Sequence, residues 1–321
     1  MVSSATPDTL ARAAQLLRAG ELVAFPTETV YGLGADACNE RAVRAIFAAK
    51  ARPADHPVIV HVKDADDAAT WARAMPRGAR VLADAFWPGP LTIIVPRASH
   101  VPDAVTGGQD SVGLRVPSHP VAQALLRAFA ERGGRGIAAP SANRFGRISP
   151  TTAAHVRDDL GEEVAMIVDG GACDVGIEST IVAFTGDDAV LLRPGGIAQA
   201  ELARVLGAPL RPGTPEAPRA SGTLASHYAP RTPSRLVSAE ALACPGDAAV
   251  LARTIVPRDG RWIAAPRDAT RYAHDLYANL RALDAMGAAE ILIEDVPAGD
   301  AWDAVRDRLG RATHGDDDDR D

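Results

Sequence analysis

Residues 21–37, ELVAFPTETVYGLGADA, decide how the rest of the chain is read. Leu22, Val23, Ala24 and Phe25 form an apolar run of strand length. Pro26 ends the run, because proline has no N–H to give a sheet ladder. Thr27, Glu28, Thr29 and Tyr31 then present polar side chains, and Gly32 and Gly34 leave room for a turn. Open α/β sheets bind small molecules where strands end in this way. A plain strand-to-helix turn has the same pattern, so the stretch takes its meaning from what surrounds it.

Upstream, Thr6, Pro7 and Asp8 read as an N-cap, a first-turn proline and a first-turn acid, and Gly20 stops the helix they open. Downstream, Asn39 caps a helix that buries Val43, Ile46 and Phe47 and delivers Lys50 and Arg52 at its end. Strands are predicted over 58–62, 91–95, 111–116, 136–139, 164–168, 178–184 and 189–192, the last two as a hairpin turning at Gly186-Asp187-Asp188. Helices fall between them over 65–74, 79–86, 121–130, 151–160 and up to Leu206. The order is mixed rather than alternating, which predicts an α/β fold around a mixed twisted sheet.

Six prolines between Pro209 and Pro233 mark a stiff linker over 208–233, either a tether or a lid. The pattern then restarts as a smaller α/β domain over 234–310, with its main helix at 268–286. The tail, 311–321, is acidic and expected to be disordered. The larger domain before the linker is expected over 6–207.

A net charge of −7 argues against a stable nucleic-acid binder. Cys38, Cys173 and Cys244 lie far apart and give neither a metal spacing nor a disulfide framework, as in a reducing compartment. The N-terminus lacks a basic segment followed by an apolar one, and no run reaches membrane-span length, so a cytoplasmic protein is expected. P-loop, dinucleotide-fingerprint, GxSxG and HExxH motifs are absent. What remains at the strand ends is cationic or a neutral hydrogen-bonder: Lys50, Arg52, Arg115 and Arg193, with Thr27, Thr29, Ser111, Ser141, Asn143, Ser149 and Ser179. That set suits a polyanion beside a small zwitterion. His61 alone reads as a core histidine.

PTETVYGLG, KARP (50–53), VIVHV, GLRVP (113–117), APSAN (139–143), SPT (149–151), GIESTIV (176–182) and LRPG (192–195) together resemble the YrdC/Sua5 family. The linker sequence SGTLASHYAPRTP and the domain after it are similar to the longer Sua5 type, with a small Rossmann-like C-terminal domain. Two departures stand out: His56 where the family often has Asn, and fewer basic residues before His227-Tyr228.

The resemblance implies a YrdC-like catalytic fold and L-threonylcarbamoyladenylate synthesis. Threonine, bicarbonate or CO2 and ATP would give the adenylate and pyrophosphate, the first step toward t6A in tRNA. It implies Lys50 and Arg52 as catalytic triphosphate contacts. Ser111, Ser141, Asn143, Ser149, Arg193, His227 and Tyr228 would complete the ATP side. Thr27, His61, Arg115, Ala139 and Ser179 would line the threonine pocket, with Arg115 on the carboxylate. Mg²⁺ would ride on the ATP phosphates and water rather than on protein side chains. The product would pass to t6A transferase proteins, and tRNA would be met only indirectly or transiently. An RNA-binding module and a related carbamoyl-adenylate enzyme stand as alternatives.

Overall fold

The computed structural model describes residues 1–186, 188–214, 217–256 and 260–314. The first unit opens with β1 (Val2–Ser4), α1 (Pro7–Arg18), β2 (Val23–Phe25), β3 (Gly32–Asp36), α2 (Glu40–Lys50) and β4 (Val60–His61). It continues with α3 (Ala65–Trp71), α4 (Arg77–Phe86), β5 (Leu91–Pro96), α5 (Asp103–Thr106), β6 (Ser111–Arg115), α6 (Pro120–Ala130) and β7 (Ile137–Ala138). It ends with α7 (Ala153–Leu160), β8 (Met166–Asp169), β9 (Thr180–Thr185), β10 (Asp188–Arg193), α8 (Gln199–Leu206) and β11 (Arg211–Pro212).

These strands form one mixed sheet in the order β1-β8-β2-β3-β7-β4-β6-β5-β9-β10-β11. Helices cover both faces. α1 and α6 pack Leu17, Leu125 and Phe129 onto Val23, Phe25 and Ile137. On the other face Ile46, Leu82 and Leu202 meet Leu33, Leu91 and Val182. Burial on both sides is why these strands read as continuous apolar runs rather than alternating ones.

Residues 21–37 fold differently from their sequence reading. Gly32 and Gly34 belong to β3, which pairs antiparallel with β2, Phe25 opposite Gly32 and Val23 opposite Gly34. A Cβ on Gly34 would come within 2.9 Å of both the Phe25 ring and Ile137. The glycines are there for packing across the sheet, and the turn belongs to residues 26–31. Thr27 Oγ1 closes it by accepting from Thr29 N and Val30 N and donating to Val30 O at 2.7 Å.

β1 and β11 have no counterpart in the sequence reading. Each is three residues or fewer and draws its order from a neighbour, β1 from β8 and β11 from β10. The strand predicted from residue 178 starts at Thr180, because Glu178 and Ser179 turn inward instead of joining the ladder.

The second unit is β12 (Ser234–Val237), β13 (Ala249–Ala252), β14 (Trp262–Ala264), α9 (Ala269–Asp284), β15 (Ile291–Glu294) and α10 (Asp303–Ala312). Its four strands are all parallel in the order β12-β15-β13-β14. Arg311 and Ala312, assigned to the disordered tail from sequence, are the last turn of α10, where Ala312 is buried. The rest of that expectation beyond His314 lies outside the described residues, as do Asp187 of the hairpin turn and Pro215 of the linker.

Candidate active site

α2 aims the first cations. Asn39 caps it by accepting from Ala42 N, and its apolar face locks it to the sheet. Its last turn closes on Ala51 in the left-handed conformation (φ 53°). A residue with a Cβ resists that conformation, at about 1–2 kcal/mol. Here it turns the chain so that Lys50 and Arg52 both point inward, 2% and 9% exposed.

The two cations then part. Arg52 lines a cavity of about 510 Å³, counted with its open mouth, at the ends of β2, β4, β6 and β7. Its Nη2 donates to Pro57 O (2.9 Å) and Ser221 Oγ (3.3 Å). Burial lowers its pKa to about 10, which leaves it charged at neutral pH. Lys50 does not line that cavity. Its Nζ donates to the main-chain carbonyls of Ser141 and Asn143, each at 2.5 Å. Burial, then Arg52, pulls its pKa well down. A buried ammonium needs acceptors, and the loop after β7 supplies them.

Thr27, His61, Arg115, Ala139, Ser141, Ser179, Arg193, His227 and Tyr228 line the same cavity as Arg52. Positions as distant in sequence as Thr27 and Tyr228 thus meet at one place. Arg193 comes from the end of β10 and donates through Nε and Nη2 to Ser179 O, and through Nη1 to Ser221 O at 2.8 Å. Ser179 Oγ is 2.8 Å from Thr92 Oγ1.

Three further residues of the expected ATP side lie off this cavity. Asn143 gives its Nδ2 to Arg144 O and Arg147 O. Ser149 gives its hydroxyl to Glu178. Ser111 lines an adjoining cavity of about 280 Å³ with Ile59, Ile94, Gly113 and Ile181. Ser221 borders both cavities, and Ala220 packs on Ile94 and Ile181.

Arg115 has a protein partner that the sequence reading does not give it. Its Nη2 donates to Glu28 Oε1 at 2.7 Å, and both side chains are buried. Glu28 Oε2 accepts from Ser118 N. Among the described residues, several buried polar atoms lining this cavity have no hydrogen-bond partner: Arg52 Nε, Arg115 Nε, His61 Nδ1 and His227 Nδ1. A native protein leaves few such groups without cause. Clustered at a cavity, they mark where a polar ligand belongs.

The electrostatics are correspondingly cationic. Burial, and then Arg115, pushes His61 down to about 3, and burial pushes His227 down to about 3 as well. Both rings are neutral at pH 7. His56 sits edge-on to Phe145 at 5.5 Å, and burial and Arg52 lower its pKa too. Burial alone would raise the Glu178 carboxylate. Arg308 and Arg193, with the Ser149 hydroxyl, more than offset that and hold it at about 2.

The Sua5/YciO/YrdC family model, described as "Telomere recombination", matches residues 15–195. The chain belongs to the Sua5/YrdC family. The C-terminal model of that family's longer type, described as "Threonylcarbamoyl-AMP synthase, C-terminal domain", matches residues 197–314. Among Sua5/YrdC relatives, the threonylcarbamoyl-AMP synthase of Pyrococcus abyssi is 38% identical, covering 94% of this chain and 93% of its own. That of Schizosaccharomyces pombe is 35% identical, covering 96% and 89%. The solved structure of P. abyssi Sua5 complexed with L-threonine matches with a TM-score of 0.90 at 35% identity, covering 98% of this chain and 97% of that one.

Glu178, Ser221, Tyr277 and Arg308 escape the sequence reading of this Sua5/YrdC site. Glu178 had a signal, an acid inside the apolar run GIESTIV. Arg308 had one too, since it shares the buried stripe of α10 with Ala304, Val305, Leu309 and Ala312. A cation on an apolar helix face asks for a buried anion.

The buried histidines make stability depend on pH. His61 and His227 have an ordinary value of 6.5 and fall to about 3 in the fold. Between these values the unfolded chain binds more protons, so stability is full above pH 6.5 and is lost as pH falls toward 3. Each ring is expected to cost about 2 kcal/mol on going from pH 7 to pH 5. Urea unfolding at the two pH values checks this. An unchanged difference in the His61→Gln/His227→Gln double variant would rule it out.

Proposed function

We propose that the chain makes L-threonylcarbamoyladenylate from L-threonine, bicarbonate or CO2 and ATP, releasing pyrophosphate. The observation that carries this is the group of unpartnered Arg52, Arg115 and His61 nitrogens at one cavity, in a chain that matches threonylcarbamoyl-AMP synthases over nearly its full length. The threonine amine adds to CO2 to form a carbamate and release a proton. A carbamate oxygen then attacks the α-phosphorus, and the bond to the β-phosphate oxygen breaks. The carbamate is already an anion, so the step asks for positioning and charge neutralisation rather than a strong base.

The side chains divide accordingly. Arg115 offers its Nε–H to the threonine carboxylate while Glu28 fixes its other edge. His61, Thr27, Ala139 and Ser179 bound the small substrate. Arg52 and Arg193 face the phosphates, with Ser141, His227 and Tyr228 nearby. Lys50 supports the floor by holding the carbonyls of Ser141 and Asn143, and Ser149 acts through Glu178. The base is assigned to the adjoining pocket beside Ser111, where Ile59, Ile94 and Ile181 supply apolar surface.

Mg²⁺ is proposed to enter with the triphosphate, held by phosphate oxygens and water. Both oxygens of Glu178 are engaged by donors, which leaves this carboxylate occupied within the protein. The product is an activated acyl adenylate. A t6A transferase would consume it and pass the threonylcarbamoyl group to tRNA. Among the described residues no helix is long and apolar enough to cross a membrane.

The test is pyrophosphate release with each substrate omitted in turn. Release is expected only with threonine, bicarbonate and ATP together. Release indifferent to threonine would overturn the reading.

A further inference from the structure

Glu178 lines the cavity, yet most of what holds its carboxylate comes from the other half of the molecule. Oε1 accepts from Ser149 Oγ. Oε2 accepts from Tyr277 Oη and Arg308 Nε, each at 2.8 Å. Tyr277 lies on α9 and Arg308 on α10, so two of these three donors belong to the C-terminal domain. Arg308 is 0% exposed. Its guanidinium also lies 5.2 Å from the centroid of the Tyr228 ring, and Tyr228 stacks on Tyr277 at 5.7 Å.

The backbone is built for this approach. Gly176 has φ +80°, and a Cβ there would sit 2.3 Å from the His274 carbonyl oxygen on α9. Glycine both accepts that φ and lets loop and helix touch. Ile177 and Tyr228 are buried in the same apolar cluster as Leu276 and Leu280 of α9.

Neither Tyr277 nor Arg308 lines the cavity itself, so each acts through Glu178 and Tyr228. The residue after Glu178 is Ser179, whose carbonyl and hydroxyl receive Arg193. A shift of Glu178 therefore moves a substrate-facing hydroxyl and a phosphate-facing guanidinium together. We propose that Tyr277 and Arg308 are positioning residues of the active site, through which the C-terminal domain holds Glu178, Ser179, Arg193 and Tyr228 in the geometry that binds substrate. This rests on the synthase reading above.

The charged and titratable groups facing Glu178 come from every neighbouring element: the guanidiniums of Arg193 of β10 and Arg308 of α10, the Lys50 amine of α2, the neutral His227 ring and Tyr228 phenol of the linker, and the Tyr277 phenol of α9. Arg308 is the cation bonded directly to the carboxylate. Without it, a buried carboxylate takes up a proton at higher pH than before.

The test compares the full-length wild type with Arg308→Met, measuring kcat/KM for threonine from pH 6 to pH 9 and threonine affinity by calorimetry. Each variant value is divided by the wild-type value at the same pH. Arg308→Met is expected to lose about 10- to 100-fold at pH 6 and to recover as pH rises. Adding Glu178→Gln is expected to flatten that trend. Arg308→Lys, which keeps the cation, is expected to restore part of the loss, and Tyr277→Phe, which removes the other C-terminal donor to Oε2, carries the pH comparison if Arg308→Met does not fold. Gly176→Ala, which changes no charge, is expected to lower kcat/KM by a factor that does not vary with pH. An Arg308→Met ratio that is near one, or low but independent of pH, would overturn the proposal. A pH trend that survives Glu178→Gln would overturn it as well. A wild type that neither binds threonine nor turns over removes the synthase reading, and the proposal with it. An active wild type beside an unaffected Arg308→Met removes the proposal alone.

Discussion

Arg52→Ala is expected to lower threonine-dependent pyrophosphate release by about 10²–10³-fold, the usual consequence of losing one donor aimed at developing charge. The protein should still fold. Arg52 donates to Pro57 O and Ser221 Oγ, and Pro57 O keeps a second donor, Ser221 Oγ at 2.8 Å, when the guanidinium is gone. No buried acceptor is left bare there, so the stability change should stay near about 1 kcal/mol, the worth of an ordinary hydrogen bond. Turnover and thermal midpoint measured on one preparation decide the matter. Wild-type turnover in this variant would remove Arg52 from the phosphate side. A collapse of the midpoint would show that its role is structural.

Arg115→Ala is expected to behave in the opposite way and to strike stability hard. Glu28 and Arg115 are both buried and paired at 2.7 Å. Removing the cation leaves a carboxylate in the interior with Ser118 N as its remaining donor among the described hydrogen bonds. Breaking a buried pair from one side costs about 3–5 kcal/mol. Glu28→Gln added to Arg115→Ala should recover more than half of that, because a neutral amide is far easier to bury. Threonine affinity should remain lost in both, since neither can bind the substrate carboxylate. Urea midpoints beside calorimetric titration with threonine separate the two roles. Equal destabilisation in the single and double variants would mean that the pair does not hold this wall together.

Much of this arrangement was legible in residue order. The apolar runs, the caps at Thr6 and Asn39 and the restart after the proline-rich stretch each rest on local chemistry, and local chemistry is what a sequence displays. Arg52, Arg115 and Arg193 could be picked out as cations stranded at strand ends. Their partners could not. Glu28 lies 87 positions from Arg115, and Glu178 lies 130 from Arg308. Those pairs exist because the sheet and the two domains bring distant loops together, and nothing local announces it. Lys50 shows the same limit in reverse: its place at the end of α2 was readable, but its turn toward the carbonyls of Ser141 and Asn143 depends on where the loop after β7 comes to rest.

The eleven-stranded sheet ends in β1 on one side and β11 on the other. An open edge offers unpaired N–H and C=O groups to any passing strand and is a common route to aggregation. Here one edge is three residues long, and the other is two residues long and ends on Pro212. Proline has no N–H to offer, and so short an edge gives a second chain little to pair with. Among the described residues, both margins of this wide sheet thus offer a passing strand little backbone to pair with.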